Sequence, residues 1–526
     1  MKGRNFLSIL LILLINFSSP CIVVFSLPVA NAVEHQHLKT SKDTPTKLKT
    51  TVGTWMTTEV VSKESTSDSE NPSLAIDEFG HVHVVWADYT NYTNAGTDRD
   101  IFYKRWNATT STWTPTEVVS TESTSDSENP SLAIDEFGHV HVVWADYTNY
   151  TNAGTDRDIF YKRWNATTST WTPTEVVSTE STSDSENPSL AIDGNDALHV
   201  VWADYTNYTN AGTDRDIFYK RWNVTTSTWM TTEVVSTEST SDSKNPSLAI
   251  GNNGALHVVW ADRTDYVTAE TDWDIFYKNW ESITGWKITQ IVSTESTSDS
   301  DTPALTVEEF GHVHVVWEDY TNYTNAGTDR DIFYKRWNAT MGTWTPTEVV
   351  STESTSNSYT PALGMDGNRL VHVVWCDDTD YGGSLPDRDI FYKHWKPTTN
   401  TWITTWVVSQ EGIAKSDHPK LSIDKNDELY FVWEDWADYN GAGTDVDIFY
   451  RKFESSPPPV GTSPDPFLIT ILVIGVSLGV VSITILGSLV IIRKLRKQVP
   501  VKITEKKILD YAEKAKQIRD NLEDKG

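Results

Sequence analysis

Cysteine is almost absent: Cys21 lies near the N-terminus and Cys376 stands alone in the body of the chain. Two cysteines so placed make no disulfide framework, so 526 residues must hold together by packing. Positive charge is also scarce, with 43 Lys and Arg against 73 Asp and Glu and a formal net charge of −30. Residues 1–32 carry +2 and residues 493–526 carry +5, which leaves −37 on everything between. So acidic a body excludes nucleic acid as a partner, since that needs a basic footprint. It fits a solvated or a cation-binding surface. Long apolar runs occur only near the two ends.

What the chain has in abundance is repetition. Glu64–Thr121 and Glu122–Thr179 are the same 58 residues twice. Trp86, Trp144, Trp202, Trp260, Trp317, Trp375 and Trp433 mark seven copies at spacings of 58, 58, 58, 57, 58 and 58. A fixed period of this length means an array, a solenoid or a propeller. In the first unit, Pro72–Asp77 reads as a first strand, His81–Trp86 as a second, Asp100–Trp106 as a third and Trp113–Ser120 as a fourth. Four short strands per unit make one propeller blade. The body opens with Trp55–Ser62, a strand of the fourth type with nothing before it, and stops after the third-type strand Asp447–Phe453. The expected fold is therefore an all-β, seven-bladed β-propeller of four-stranded blades, residues 54–453, closed by that N-terminal strand. A linear array would leave the strand orphaned.

The ends read as targeting segments. Lys2 and Arg4 precede the apolar run Phe6–Ile15, and Ala30-Asn31-Ala32 is a small-residue cleavage pattern. Residues 1–32 are thus expected to be a signal peptide, with an uncleaved anchor as the alternative. Residues 33–53 are a polar linker and 454–466 a proline-rich stalk. Phe467–Ile492 carries no charge over 26 residues and is followed by Arg493, Lys494, Arg496 and Lys497. That predicts one C-terminal transmembrane helix, type I topology, an outward propeller and a cytoplasmic C-terminus at the cell membrane. Gly475 and Gly479 form a GxxxG motif through which two such helices would pair as a homodimer. In the basic tail 493–526, Ile508, Tyr511, Ala515, Ile518 and Leu522 make a short amphipathic helix pattern, suited to a coiled-coil seam or to a membrane surface.

The unit Asn71–Asp77, His83–Trp86 and Asp100–Lys104 resembles the repeats of sialidase-like propellers of prokaryotic, archaeal surface proteins. The likeness covers residues 54–453. The Asp-box of that family survives only in part, as Thr110-Ser111-Thr112-Trp113 or Met341-Gly342-Thr343-Trp344, without its aspartate. The resemblance implies catalysis by three arginines from different blades, a tyrosine–glutamate pair and an acid aspartate. The recurring arginines here, Arg99, Arg157, Arg215, Arg330 and Arg388, hold one equivalent position. Symmetric copies cannot all line one asymmetric pocket, so no enzyme is expected.

Three aspartates recur in each unit at the end of the second strand and the start of the third. They are Asp88/Asp98/Asp100, Asp146/Asp156/Asp158, Asp204/Asp214/Asp216, Asp262/Asp272/Asp274, Asp319/Asp329/Asp331, Asp377/Asp387/Asp389 and Asp435/Asp445/Asp447. Three carboxylates flanking one loop are what a Ca²⁺ site needs, and Asx-turn capping of that loop is the alternative. His81-Val-His83 supplies two imidazoles but no third ligand, which favours packed histidines over zinc. Asn91, Asn149, Asn207 and Asn322 in one loop, and Asn107, Asn165, Asn223 and Asn338 in the next turn, lie in glycosylation sequons. Duplication of a Thr- and Asn-rich unit explains the same density. The expected function is a cell-surface display module binding a glycan, a surface polymer or a protein. A glycoside-processing enzyme and a structural envelope component are the alternatives. Any unique site should lie where the units diverge most, at Arg263–Glu270, Cys376–Leu385 and Trp436–Gly443.

Overall fold

In the computed structural model, residues 11–12, 24–25, 53–93, 95–151, 153–209, 211–266, 272–324, 326–381, 387–397, 399–410 and 414–455 are described. The chain divides into two compact units. One joins residues 1–48 to 458–526, and its described part is an antiparallel pair, Leu11–Ile12 with Val24–Phe25. The other, residues 49–457, is the propeller.

Each blade is one antiparallel sheet read outward in chain order. Blade one has an inner strand Ser69–Ile76, a second strand Val82–Asp88, a third strand Asp100–Asn107 and two outer segments, Thr112–Trp113 and Glu117–Val118. Both outer segments pair with the third strand, so the expected single fourth strand is corrected to two short pieces. Proline is not the general cause. The break recurs at Trp229-Met230-Thr231-Thr232, where no proline stands. What recurs is a threonine turned inward at the break: Thr116 and Thr174 donate to Glu64 and Glu122, as Thr232 does to Glu180.

The inner strand also differs from expectation. It begins before the proline, with a register shift between Glu70 and Ser73. Pro72 has no N–H to give to the ladder, and Asn71 adopts φ 54°, so the pair forms a bulge.

The second strand is buried along its whole length, because neighbouring blades cover both of its faces. Trp86 packs edge-on to Phe102, with ring centroids 5.9 Å apart. Apolar clusters run between blades. Val85, Ala87, Ile101 and Tyr103 of blade one meet Val140, Val142, Trp144 and Phe160 of blade two. Tyr430, Val432, Ile448 and Tyr450 of blade seven meet Val82, Val84 and Trp86 of blade one in the same way, so the ring is continuous. The seventh sheet consists of Ser416–Ile423, Leu429–Asp435 and Asp447–Glu454. Two separate N-terminal segments, Thr54–Trp55 and Glu59–Val60, pair with its third strand, in place of the one closing strand expected. A buried cation ties each blade to the one before, a lysine in blades one to six and Arg451, which donates to the Val408 carbonyl, in blade seven. Lys162 donates to the Val119 carbonyl at 2.9 Å and to Glu122 at 2.6 Å.

The membrane reading is corrected. A bilayer-spanning segment must satisfy its own backbone, which a single pass does only as a helix. Among the described residues there is no helix, and so none long and apolar enough to cross a membrane. These residues satisfy their backbone in inter-strand ladders instead. Where a signal peptide was expected, the described residues form the small antiparallel pair, not a helix. The apolar run 467–492 with Gly475 and Gly479, the stalk beyond Ser455 and the basic tail lie outside the described residues. Type I topology, cell-membrane localisation, the membrane as partner and the homodimer rested on that helix and are not carried further. The display role with its glycan or protein ligand, suggested by the repetition, falls with the cell-surface placement.

Candidate functional site

The loop joining second to third strand and the loop entering the next blade share one face. Arg99 N donates to Asp126 Oδ1 at 2.9 Å, and Ser127 N donates to the Arg99 carbonyl at 2.7 Å. The recurring aspartates lie on this face and divide into three roles. Asp88 is a structural hub: Ser69 Oγ, Trp86 Nε1 and Thr90 N donate to it at 2.7, 2.9 and 2.7 Å, and Ser65 Oγ at 3.0 Å. Asp146, Asp204, Asp262, Asp319 and Asp377 repeat that pattern, and Asp435 takes Ser416, Trp433 and Ala437 N. Asp98 folds its Oδ1 back over Gly96, at φ 126°, where any Cβ would stand 2.3 Å from that oxygen.

Asp100 accepts from Ser120 Oγ through Oδ1 at 2.6 Å. Its Oδ2 has no donor, and the same holds for Asp158, Asp216, Asp331 and Asp447. In blades two and three, the Oδ2 atoms of Asp156 and Asp214 are also buried without a donor. Burial, with neighbouring carboxylates adding to it, pushes the Asp100, Asp158, Asp216 and Asp331 carboxyls up to about 7. Among the described residues no three His, Cys, Asp or Glu side chains converge to hold a metal ion. The triads therefore do not meet as three-carboxylate centres, because the first aspartate of each is occupied by its own blade.

The histidines do not share a site. His83 Nδ1 bonds Tyr103 Oη at 2.8 Å, whereas His81 Nδ1 accepts from Ala108 N at 2.9 Å. The sequon amides brace their own loops. Asn91, Asn149, Asn207 and Asn322 accept from a glycine N–H five residues on. Asn107, Asn165, Asn223 and Asn338 accept from the N–H two residues on, in the turns of the opposite face.

The rim of the inner strands on the loop face divides into two unlike sectors. In blades one to three, Arg99 bridges Glu70 at 3.1 Å and Glu128 at 2.8 Å. Arg157 reaches Glu186 at 3.1 Å, and Arg215 reaches the same Glu186 at 3.2 Å. Beside them, Asn129, Asn187 and Asn245 pass an amide hydrogen bond from blade to blade, ending on Asp301.

Blades five to seven break this pattern. The alanine that follows the marker tryptophan in blades one to four becomes Glu318, Cys376 and Glu434. All three are buried. Glu318 accepts from Thr360 N at 2.6 Å and from Arg330 Nη1 at 2.7 Å. Thr360 Oγ1 lies 3.0 Å from Cys376 Sγ, which donates to Asp417 Oδ1 at 3.0 Å. Asp417 Oδ2 receives Arg388 Nη1 at 2.7 Å. Next in the chain, His418 Nδ1 meets Glu434 Oε2 at 3.0 Å, and Asn71 N donates to Glu434 Oε1 at 2.6 Å. One connected arc of unlike groups thus runs from blade five to blade one.

Tyr359 sits in this arc. Its Oη donates to Asp378 Oδ2 at 3.0 Å, and Arg388 Nε donates to the other oxygen of Asp378 at 2.9 Å. Guanidinium groups of Arg388 and Arg330 lie 3.9 and 4.8 Å from its ring centroid. Burial and Asp378 hold the phenol protonated. Burial also lifts Glu318 above the usual carboxylate range, against the pull of Arg330. For His418, burial opposes the charge but Glu434 and Asp417 outweigh it, so its affinity for a proton rises. Glu318, Tyr359, Asp417, His418 and Glu434 went unmarked in the sequence reading, although Cys376 and Asp378 fall in a divergent stretch it flagged. The readable signal was the change from Trp-Ala-Asp to Trp-Glu-Asp and Trp-Cys-Asp at a fixed register.

No family model matches the chain, and no curated protein matches it. Among solved structures, it is similar to the polysaccharide lyase Uly1 at 12% identity and TM-score 0.48, over 73% of this chain and 90% of that one. It is also similar to the intramolecular trans-sialidase from Ruminococcus gnavus, at 12% identity and TM-score 0.39, over 76% and 97%. A third likeness is to the Penicillium chrysogenum alpha-L-arabinanase, at 14% identity and TM-score 0.40, over 61% and 94%. The seven blades are given by the sheets themselves. The likeness to sialidase-like propellers is distant, and at these values nothing about activity follows from it.

Proposed function

We propose that the chain is a glycoside-processing enzyme whose chemistry belongs to the rim of blades five to seven. The observation that carries this reading is Tyr359 donating to Asp378 between two arginines, Arg330 and Arg388, from different blades. It overlaps in part with the residue types that the sialidase-like resemblance implies, a tyrosine paired with a carboxylate beside arginines. Two arginines stand in place of three, an aspartate in place of the glutamate and a histidine in place of the acid aspartate. In this reading Asp378 takes the phenolic proton as Tyr359 Oη bonds to the anomeric carbon. The glycosidic C–O bond breaks, and His418 protonates the departing oxygen. Water then cleaves the tyrosyl–sugar bond, giving up a proton that returns to His418, while Asp378 returns its own proton to the departing Tyr359 oxygen. The test is turnover of a panel of fluorogenic glycosides by the full chain. Tyr359→Phe is expected to abolish release while leaving the melting curve near that of the parent. Turnover that survives Tyr359→Phe would refute the assignment.

A second reading has its own support. Arg388 gives one arm to Asp378 and another to Asp417, so it is spent on the protein. That favours a rim that is a structural clamp with no catalysis. In that case no glycoside in the panel turns over, and Tyr359→Phe lowers the melting temperature.

A further inference from the structure

The Asp-x-Asp at the start of each third strand leaves an electrostatic problem that the protein's own groups do not solve. Asp331 is 2% exposed, its Oδ1 is taken by Ser351 Oγ, and its Oδ2 accepts from no donor. The charged groups that act most on it are Asp329, Asp377 and Asp319, all carboxylates. The recurring arginine beside it is directed elsewhere: Arg330 binds Glu318 and Tyr320. Asp331 also lines a cavity of about 300 Å³, whose other walls include Thr324, Ala326, Ser351, Thr352 and Ser354.

The arrangement is repeated. Asp100 faces Asp98, Asp146 and Asp88, again all of one sign. In blades two and three, both members of the pair, Asp156 with Asp158 and Asp214 with Asp216, hold a buried oxygen without a donor. A buried carboxylate next to a second, half-buried one is costly unless a counter-charge joins them. The donors on hand are carboxylate, hydroxyl and backbone oxygens, a set that suits hard cations and not zinc or copper. Because the Asp88-type residue of each blade is already occupied, only two carboxylates remain per site. Calcium tolerates that, filling its shell with neutral oxygens and water in loose geometry. Magnesium demands a stricter octahedron.

We propose that the Asp-x-Asp pairs of blades one, two, three and five each bind a calcium-sized divalent cation at the loop face, beside the cavity that Asp331 lines in blade five. Two carboxylates without a preformed cage place these sites in the weak class, with Kd on the order of 10⁻⁴–10⁻³ M. They are independent of the rim chemistry proposed above.

The test is calorimetric titration of the full chain with Ca²⁺ after chelator treatment, with Mg²⁺ at the same ionic strength as control. Saturable binding of several Ca²⁺ is expected, and Asp331→Asn should bind one fewer. Asn keeps the acceptor for Ser351, and if that variant fails to fold, Asp329→Asn on the adjoining loop answers the same question. A third measurement is the melting temperature of the unaltered chain with millimolar Ca²⁺, expected to rise more than with Mg²⁺. Equal heats and equal melting shifts for the two ions would overturn the proposal. So would a variant that binds as many ions as the parent, or the absence of saturable binding.

Discussion

Blades one to three and blades five to seven share one core and have different rims. In both sectors the second strand is fully buried and the marker tryptophan donates to the aspartate two residues on. A histidine bonds a tyrosine on the third strand in every blade but the seventh, where Tyr430 replaces it. At the rim, blades one to three repeat glutamate, asparagine and arginine, whereas blades five to seven carry Glu318, Tyr359, Cys376, Asp417, His418 and Glu434. Divergence is accommodated at the rim because the new buried groups find partners there: Glu318 takes Arg330 and the Thr360 amide, Cys376 takes Asp417, and Glu434 takes His418 and the Asn71 amide. The core positions stay alike because each must fit a neighbour of the same shape. A ring of equal units offers one surface several times, and chemistry needs unlike groups in one place.

The comparison can first be broken at the core. Trp202→Ala and Trp375→Ala, one in each sector, should each cost about 3–5 kcal/mol, since both rings are fully buried. Urea unfolding of the two variants measures this. Costs that differ sharply would mean the sectors do not share one core.

At the rim the sectors should separate. Glu318 is buried and holds both Arg330 and the Thr360 amide, so Glu318→Ala should cost about 3 kcal/mol. Glu186 sits in the outer rim chain with Arg157 and Arg215, and Glu186→Ala should cost about 1 kcal/mol or less. Equal losses would remove the distinction between the sectors.

Titration should sharpen it, because the two kinds of histidine act with opposite sign. Burial lowers His257 to about 4, and burial with Arg336 lowers His314 to about 3. Both lie below the unfolded value of about 6.5, so their contribution is full above that pH and is lost as pH falls toward those values. At about 1.36 kcal/mol per pKa unit the two shifts correspond to about 3 and about 5 kcal/mol. His418 is raised, so its contribution is present below about 6.5 and is lost as pH rises through its folded value. Melting curves from pH 4 to 8 should show a weaker acid loss in His314→Gln. In His418→Gln the weaker loss should fall on the alkaline side. Parallel shifts in both variants would contradict the assignment. The smallest effect belongs to salt: Arg157→Ala should change stability by under about 1 kcal/mol, and less at high ionic strength.

Much of the fold was legible in the residues. The tryptophan period counts the blades, and the β-branched run His81–Trp86 marks a strand buried on both sides. The bulge at Asn71-Pro72 was read as a strand start, because a proline excludes a ladder bond without saying whether the strand precedes it. The outer strand was read as continuous, since the break at Thr116 is held by Glu64, which lies 52 residues away. The apolar run 467–492 reads as a span by composition alone, and the described residues contain no helix to support it.

The sequence by itself determined a repetitive all-β ring, its blade number, its acidity and the loops on which the aspartates stand. Periodicity and burial patterns are local properties, and every unit states them again. Only the tertiary structure decided what those residues do. It spent Asp88 on its own blade and left Asp100 with an oxygen that accepts from no donor. It also joined Glu318, Tyr359, Asp417 and Glu434 across three blades. Those meetings depend on which blade follows which around the axis, and no spacing within a unit encodes that.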